Sequence, residues 1–190
     1  MKIYLYLYDV SNIITNVNLP DVIKKHTSSY KIEEKRMISE ANYYRFIEKV
    51  KSFAKIDSFR FENGKPVIDG TFMSFSHSKY FYGFSYSDLK QGFDAEELID
   101  EDRINKLIRI LNKKEEFDKS DNKQLYMTKY WTEMESYSKL TGSGMDLKFI
   151  HNDNCIYKSY QIDKTIFTVA AESDFELEIY LNDEKRGILW

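Results

Sequence analysis

Asp94 and Glu96 stand two residues apart, so in an extended segment both carboxylates leave the chain on the same side. Two neighbouring like charges call for a cation. Mg²⁺ is a hard, oxygen-seeking ion that one or two carboxylates hold while water and phosphate oxygens complete its octahedron. By itself Asp-x-Glu says little in a chain with 31 acidic residues, where a solvated strand end is the commoner meaning. Further along, Trp131, Glu135 and Lys139 recur at four-residue steps. On a helix Glu135 and Lys139 share a face, and as a bare surface ion pair they contribute about 0.3–0.5 kcal/mol. Phe75-Ser76-His77-Ser78 sets an imidazole between two hydroxyls, a group of donors suited to a phosphate at a strand end and equally compatible with a turn.

Counts exclude other chemistries. Cys155 is the sole cysteine, so no internal disulfide forms, and His26, His77 and His151 are too scattered for a Cys/His zinc pattern. A reducing compartment suits such a chain. Lys+Arg 28 against Asp+Glu 31 leaves a net charge of −3, which provides no overall positive field for nucleic acid. Hydrophobic residues at 42% and aromatics at 16% exclude disorder. Asp9 interrupts the N-terminus before a signal segment could form, and no apolar run nears the ~18 residues a spanning helix needs. The expectation is a soluble, cytoplasmic protein that binds neither membrane nor nucleic acid.

The elements that must position these residues follow from periodicity. Ile3, Leu5 and Leu7 alternate with Tyr4, Tyr6 and Tyr8, the pattern of a strand over residues 2–8. Pro20 suits a first helical turn, and from Ile32 the series Met37, Ala41, Tyr44, Ile47, Val50 and Ala54 predicts a long amphipathic helix. Asp57–Phe61 reads as a strand, Asn63-Gly64-Lys65-Pro66 as a turn, Phe72–Ser76 and Tyr80–Tyr86 as further strands, and Gly92–Asp94 as the end of a short fourth. Ile104, Leu107, Ile108 and Leu111 predict a helix, the charged Lys113–Lys123 stretch a loop or frayed helix, and Leu125–Leu140 a second helix stopped by Gly142 and Gly144. Strands are expected near Leu147–Ile150, Cys155–Gln161, Thr165–Ala170 and Phe175–Leu181. Each half thus reads as helix with antiparallel strands: an α+β chain of two lobes, residues 1–90 and 91–190, meeting near residues 88–95.

Five segments occur in a telling order: Gly64-Lys65-Pro66, Ser74-Phe75-Ser76-His77-Ser78, Gly92-Phe93-Asp94-Ala95-Glu96, Trp131-Thr132-Glu133-Met134-Glu135-Ser136-Tyr137-Ser138-Lys139 and Gly142-Ser143-Gly144-Met145. In this order the chain resembles the 4'-phosphopantetheinyl transferases of the surfactin-synthetase-activating type, from about residue 57 to 150. Two departures stand out. Ser74 occupies the place of the family's usual Asn, and Met134 the place of its usual Lys.

The resemblance implies the 4'-phosphopantetheinyl transferase fold, two pseudo-symmetric α+β lobes each with a helix on a mainly antiparallel sheet, and coenzyme A bound between them. It implies transfer of phosphopantetheine from coenzyme A to a serine of an apo acyl or peptidyl carrier protein, with release of adenosine 3',5'-bisphosphate. This is the holo-[acyl-carrier-protein] synthase type of enzyme, serving lipid or secondary-metabolite biosynthesis, and a composite site within one chain suits a monomer. By carry-over Asp94, Glu96 and Glu135 bind Mg²⁺, with Mn²⁺ as a substitute. Glu135 also takes the carrier serine's proton, directly or through a metal-bound water, and Lys139 stabilises the departing bisphosphate. Lys65, Ser76 and His77 fall on the nucleotide side. Arg45 is a candidate for the 3'-phosphate, with Lys31 and Lys35 as helpers. Asp94, at a lobe junction, is expected to be partly exposed. Cys155, His26 and His151 receive no role, and the Lys113–Lys123 loop is a candidate surface for the carrier protein. A relative that binds coenzyme A or a carrier protein without turnover is the alternative, and an unrelated α+β interaction module is another.

Overall fold

In the computed structural model, residues 1–62, 65–111, 114–144 and 154–189 are described. The first strand, β1 (Lys2–Asp9), shows the expected alternation: Ile3, Leu5 and Leu7 are completely buried on one face, and Tyr4, Tyr6 and Tyr8 pack on the other. Helices α1 (Asp21–Thr27) and α2 (Glu33–Val50) cover the tyrosine face, and Glu33 and Glu34 place negative charge on the positive end of α2. The buried stripe of α2 is Ile38, Ala41, Asn42, Tyr43, Phe46 and Val50, so the helix is turned by about one residue from the expected series. Met37, Tyr44 and Ile47 lie at its margin, and Ala54 falls beyond its end.

Then come β2 (Arg60–Glu62), β3 (Lys65–Val67), β4 (Phe72–His77), β5 (Phe81–Ser87) and β6 (Gln91–Glu97). Lys65 and Pro66 are strand residues rather than a turn; Asn63 and Gly64 lie outside the described residues. Helices α3 (Glu101–Leu111), α4 (Lys114–Lys119) and α5 (Lys123–Thr141) follow, so the charged stretch expected as a loop or frayed helix contains a short helix. Asn122 caps α5 by accepting from the Leu125 amide at 3.0 Å, and Gly142 ends it in the left-handed conformation at φ 79°. The chain finishes with β7 (Ile156–Ile162), β8 (Thr165–Ala171), β9 (Glu176–Leu181) and β10 (Glu184–Leu189). The strand expected at Leu147–Ile150 lies outside the described residues.

The class is α+β, as expected. Among the described residues the strands form a five-stranded sheet ordered β10-β9-β1-β5-β4, a three-stranded sheet ordered β6-β8-β7, and the hairpin β2-β3. The two larger sheets face each other across one apolar core, where Ile3, Leu5, Leu7 and Phe81 of the first meet Phe93, Phe167 and Val169 of the second. Helix α5 packs on β6 and β8, and its Met127, Tyr130 and Met134 form a separate core with Ile104, Leu107 and Leu111 of α3. A division at residues 90 and 91 does not follow the sheets. β9 runs parallel to β1, pairing Lys2–Leu7 with Glu176–Leu181, and so carries the C-terminal strands into the first sheet.

Candidate active site

On β6, Phe93 and Ala95 enter the core between the sheets, which turns Gly92, Asp94 and Glu96 toward α5. Helix and strand approach closely because position 92 has no side chain: a Cβ there would lie 2.0 Å from the Ser136 carbonyl oxygen and 2.5 Å from the Leu140 nitrogen. The approach sets Lys139 directly on Asp94. Its Nζ donates to Asp94 Oδ1 at 2.7 Å, to Ser76 Oγ at 3.0 Å and to the Phe75 carbonyl at 3.3 Å. An ammonium has three N–H donors, and all three are used. Ser76 Oγ in turn donates its one proton to Asp94 Oδ1 at 2.9 Å and accepts from the Ala95 amide at 3.2 Å.

Three expectations change here. Asp94 is only 5% exposed, not partly open, because Lys139 and Ser76 cover it. The Ser76 hydroxyl has no proton left for a phosphate, and Lys139 meets protein acceptors instead.

Arg103 donates to Glu96 Oε2 at 3.0 Å and lies 5.0 Å over the Trp131 ring. Burial lifts the Glu96 carboxyl above its ordinary value, with Asp94 and Glu97 adding and Arg103 opposing. Glu135 is pushed up to about 6 by burial first and then by the negative charge of Asp94 and Glu96, against Lys139 and Arg103. Among the described residues no three His, Cys, Asp or Glu side chains stand close enough together to hold a metal ion as they are placed. The donor chemistry does fit a hard divalent cation. Three carboxylates share one field; Asp94 and Glu96 already attract a side-chain cation each, and at Glu135 burial and the other carboxylates outweigh Lys139 and Arg103.

Two clefts adjoin this cluster and share Lys139, Tyr30, Tyr43 and Phe75. The smaller, about 360 Å³, brings Lys35, Ser76, His77 and Lys139 together. Burial against this wall lowers the His77 pKa, and the ammoniums of Lys139 and Lys35 lower it further. The larger, about 540 Å³, is bounded by His26, Lys65, Pro66, Ser74 and Lys90 among others. Lys65 donates to the Lys139 carbonyl at 2.7 Å, at the negative end of α5. Gly142 makes room for it, since a Cβ there would stand 2.7 Å from the lysine nitrogen.

Arg45 is not brought to the site. It lies 4.6 Å over the Tyr8 ring and pairs with Asp183 at 3.6 Å, and it borders neither cleft. Lys31 borders neither cleft, whereas Lys35 lines the smaller one. Ser74 is buried between β4 and β6, accepting from the Phe93 amide at 2.9 Å, so its substitution for Asn bears on how the two sheets join. Met134 is 1% exposed within the α3–α5 core, which makes that departure a packing change. Gly64, Met145 and His151 lie outside the described residues.

Tyr30, Tyr43 and Asn42 carry no signal in the sequence, and His26, given no role there, borders the larger cleft. His26 stacks on Phe61 at 4.0 Å and 12°, and Asn42 donates to the Ser76 and Gly83 carbonyls at 3.3 and 2.8 Å. The sequence carries no spacing signal for either pairing, because each joins a helix to a strand across the fold. No model of a known protein family matches the chain, and no curated protein matches it.

Proposed function

We propose that the chain is a 4'-phosphopantetheinyl transferase of two pseudo-symmetric lobes, acting in the cytoplasm on coenzyme A and the serine of an apo acyl or peptidyl carrier protein. One observation carries the reading: Lys65, Ser76 and Asp94, on β3, β4 and β6, all contact Lys139, although 74, 63 and 45 residues separate them from it. Segments that resembled one family's motifs only in sequence thus meet at one residue, Ser76 and Asp94 at its ammonium and Lys65 at its carbonyl.

Lys35 and Lys139 give the smaller cleft its positive side for the phosphates of coenzyme A, His77 adds an imidazole N–H donor there, and the larger cleft accommodates the nucleoside. The carrier serine oxygen attacks the phosphorus bearing the pantetheine arm, a new phosphorus–oxygen bond forms, and the bond to the bisphosphate breaks. Glu135 accepts the serine proton; a carboxyl near 6 is largely ionised at neutral pH yet basic enough to hold that proton. Asp94, Glu96 and Glu135 would hold Mg²⁺, which offsets charge on the pyrophosphate oxygens as the bond breaks. The departing bisphosphate takes up its negative charge against the lysine wall.

Thermal melting with coenzyme A, run with and without Mg²⁺, tests the reading. Metal-dependent stabilisation is the expected result. Metal-independent stabilisation would indicate a binder without turnover, and no stabilisation would indicate an interaction module.

A further inference from the structure

We infer that Lys139 is the stand-in cation of the metal site: it holds Asp94 while the site is empty of substrate and yields it when a divalent cation and a phosphate arrive together. The inference rests on the transferase reading and concerns the order in which its ligands bind. Three observations carry it. The ammonium of Lys139 spends all three protons on Asp94, Ser76 and Phe75, so it has none to offer a phosphate without letting go. Asp94 is 5% exposed beneath it, and both of these short contacts, from Lys139 and from Ser76, fall on the same carboxylate oxygen. Finally, Lys139 is shared by the two clefts, so the lysine that leaves Asp94 already faces the place an anion would occupy.

A buried carboxylate left without a positive partner is strongly disfavoured, and a half-buried lysine withdrawn from one loses its charge partner at a smaller cost. A divalent cation alone must displace the ammonium and leave it unpaired. A phosphate alone must pull the lysine away and leave Asp94 buried with the Ser76 hydroxyl but no cation. Arriving together they exchange partners: the cation takes Asp94 and the lysine takes the phosphate, and no charge is stranded. The resting contact therefore weakens each ligand alone and couples the two. By linkage the coupling is reciprocal. Ser76 takes part, since its hydroxyl bridges lysine and carboxylate and keeps the Asp94 oxygen oriented during the exchange.

The test is Mn²⁺ binding to the substrate-free protein, read from the spin-resonance signal of the free ion, with and without adenosine 3',5'-bisphosphate. Wild type is compared with Lys139→Met and Lys139→Gln; the glutamine keeps a hydrogen-bond donor on Asp94 and so protects the fold. Both variants are expected to bind Mn²⁺ alone at least about tenfold more tightly than wild type, because a site occupied by its own lysine nine-tenths of the time loses affinity by that factor. The bisphosphate should then raise wild-type affinity for Mn²⁺ by a larger factor than it raises that of the variants. Should the folded variants bind Mn²⁺ alone no better than wild type, Lys139 does not guard the site, even if the protein proves to be a metal-dependent transferase. Absence of Mn²⁺ binding in all three proteins, bisphosphate included, would overturn this inference and the metal assignment together.

Discussion

Burial and two neighbouring carboxylates leave Glu135 near 6, so at neutral pH it is mostly an anion and a stronger base than an ordinary carboxylate. Glu135→Gln keeps the shape and removes the charge; kcat should fall by about 10²–10⁴-fold while the melting temperature holds or rises, since an unfavourable buried charge is gone. His77→Ala should instead raise KM for coenzyme A with a smaller effect on kcat, as expected for a contact made equally in ground and transition states. Steady-state kinetics on the two folded variants checks both; a Glu135→Gln enzyme with ordinary kcat would remove the base from the account. The carboxylates and Lys139 were picked out by the resemblance of their segments to one family, since residue type and spacing alone fit a solvated strand end and a surface ion pair equally well. Their partners were not. That Ser76 spends its proton on Asp94, or that Arg45 turns to Asp183, depends on contacts between distant segments that no local pattern encodes.

At the scale of elements, the join between β6 and α5 rests on the missing side chain of Gly92. Gly92→Ala drives a methyl into the backbone of Ser136 and Leu140, and should cost about 3 kcal/mol or more or prevent folding, whereas Gly187→Ala meets nothing within 4 Å and should fold as well as wild type. Urea denaturation of the pair measures the difference. The C-terminal hairpin is tied down at Glu178, which is 5% exposed and accepts from Lys2 at 2.7 Å and Tyr180 at 2.9 Å, with Lys185 at 3.0 Å. These hydrogen bonds bring its carboxyl down from 4.5 to about 2. Between those values the unfolded chain binds the extra proton, so the stabilisation is complete above about 4.5 and drains as pH falls toward 2. Glu178→Gln should lower the melting temperature at pH 7 by about 2–4 °C and flatten its decline between pH 4.5 and 2. An unchanged acid profile would contradict the tie. Strands with clean alternation, such as β1, were readable, and so was the existence of α2; its rotation by a residue was not, because Tyr43 and Phe46 compete with Tyr44 and Ile47 for the core and only the sheet beneath decides. Strand β10 was missed although its turn was written plainly: Asn182 and Asp183 both adopt positive φ, at 49° and 70°, the two-residue hairpin such residues favour.

At the scale of the molecule, β4 edges the first sheet and β6 edges the second, and Ser74 and Ser76 join them by accepting the Phe93 and Ala95 amides. Asp94 sits on that seam with Lys139 above it, so the proposed chemistry occupies the place where the two sheets meet. The α+β class could be read from the order of elements, while the return of β9 and β10 to the first sheet could not, because parallel pairing with β1 spans nearly the whole chain. Among the described residues no helix is long and apolar enough to cross a membrane. The central claim is that this seam transfers phosphopantetheine, and intact-mass analysis of a panel of apo carrier proteins tests it most directly. Incubated with the protein, coenzyme A and Mg²⁺, at least one carrier should gain the mass of one phosphopantetheine on its serine, and chelator or Glu135→Gln should abolish the gain. Carriers that all stay unmodified in the presence of folded, coenzyme A-binding protein would contradict the account.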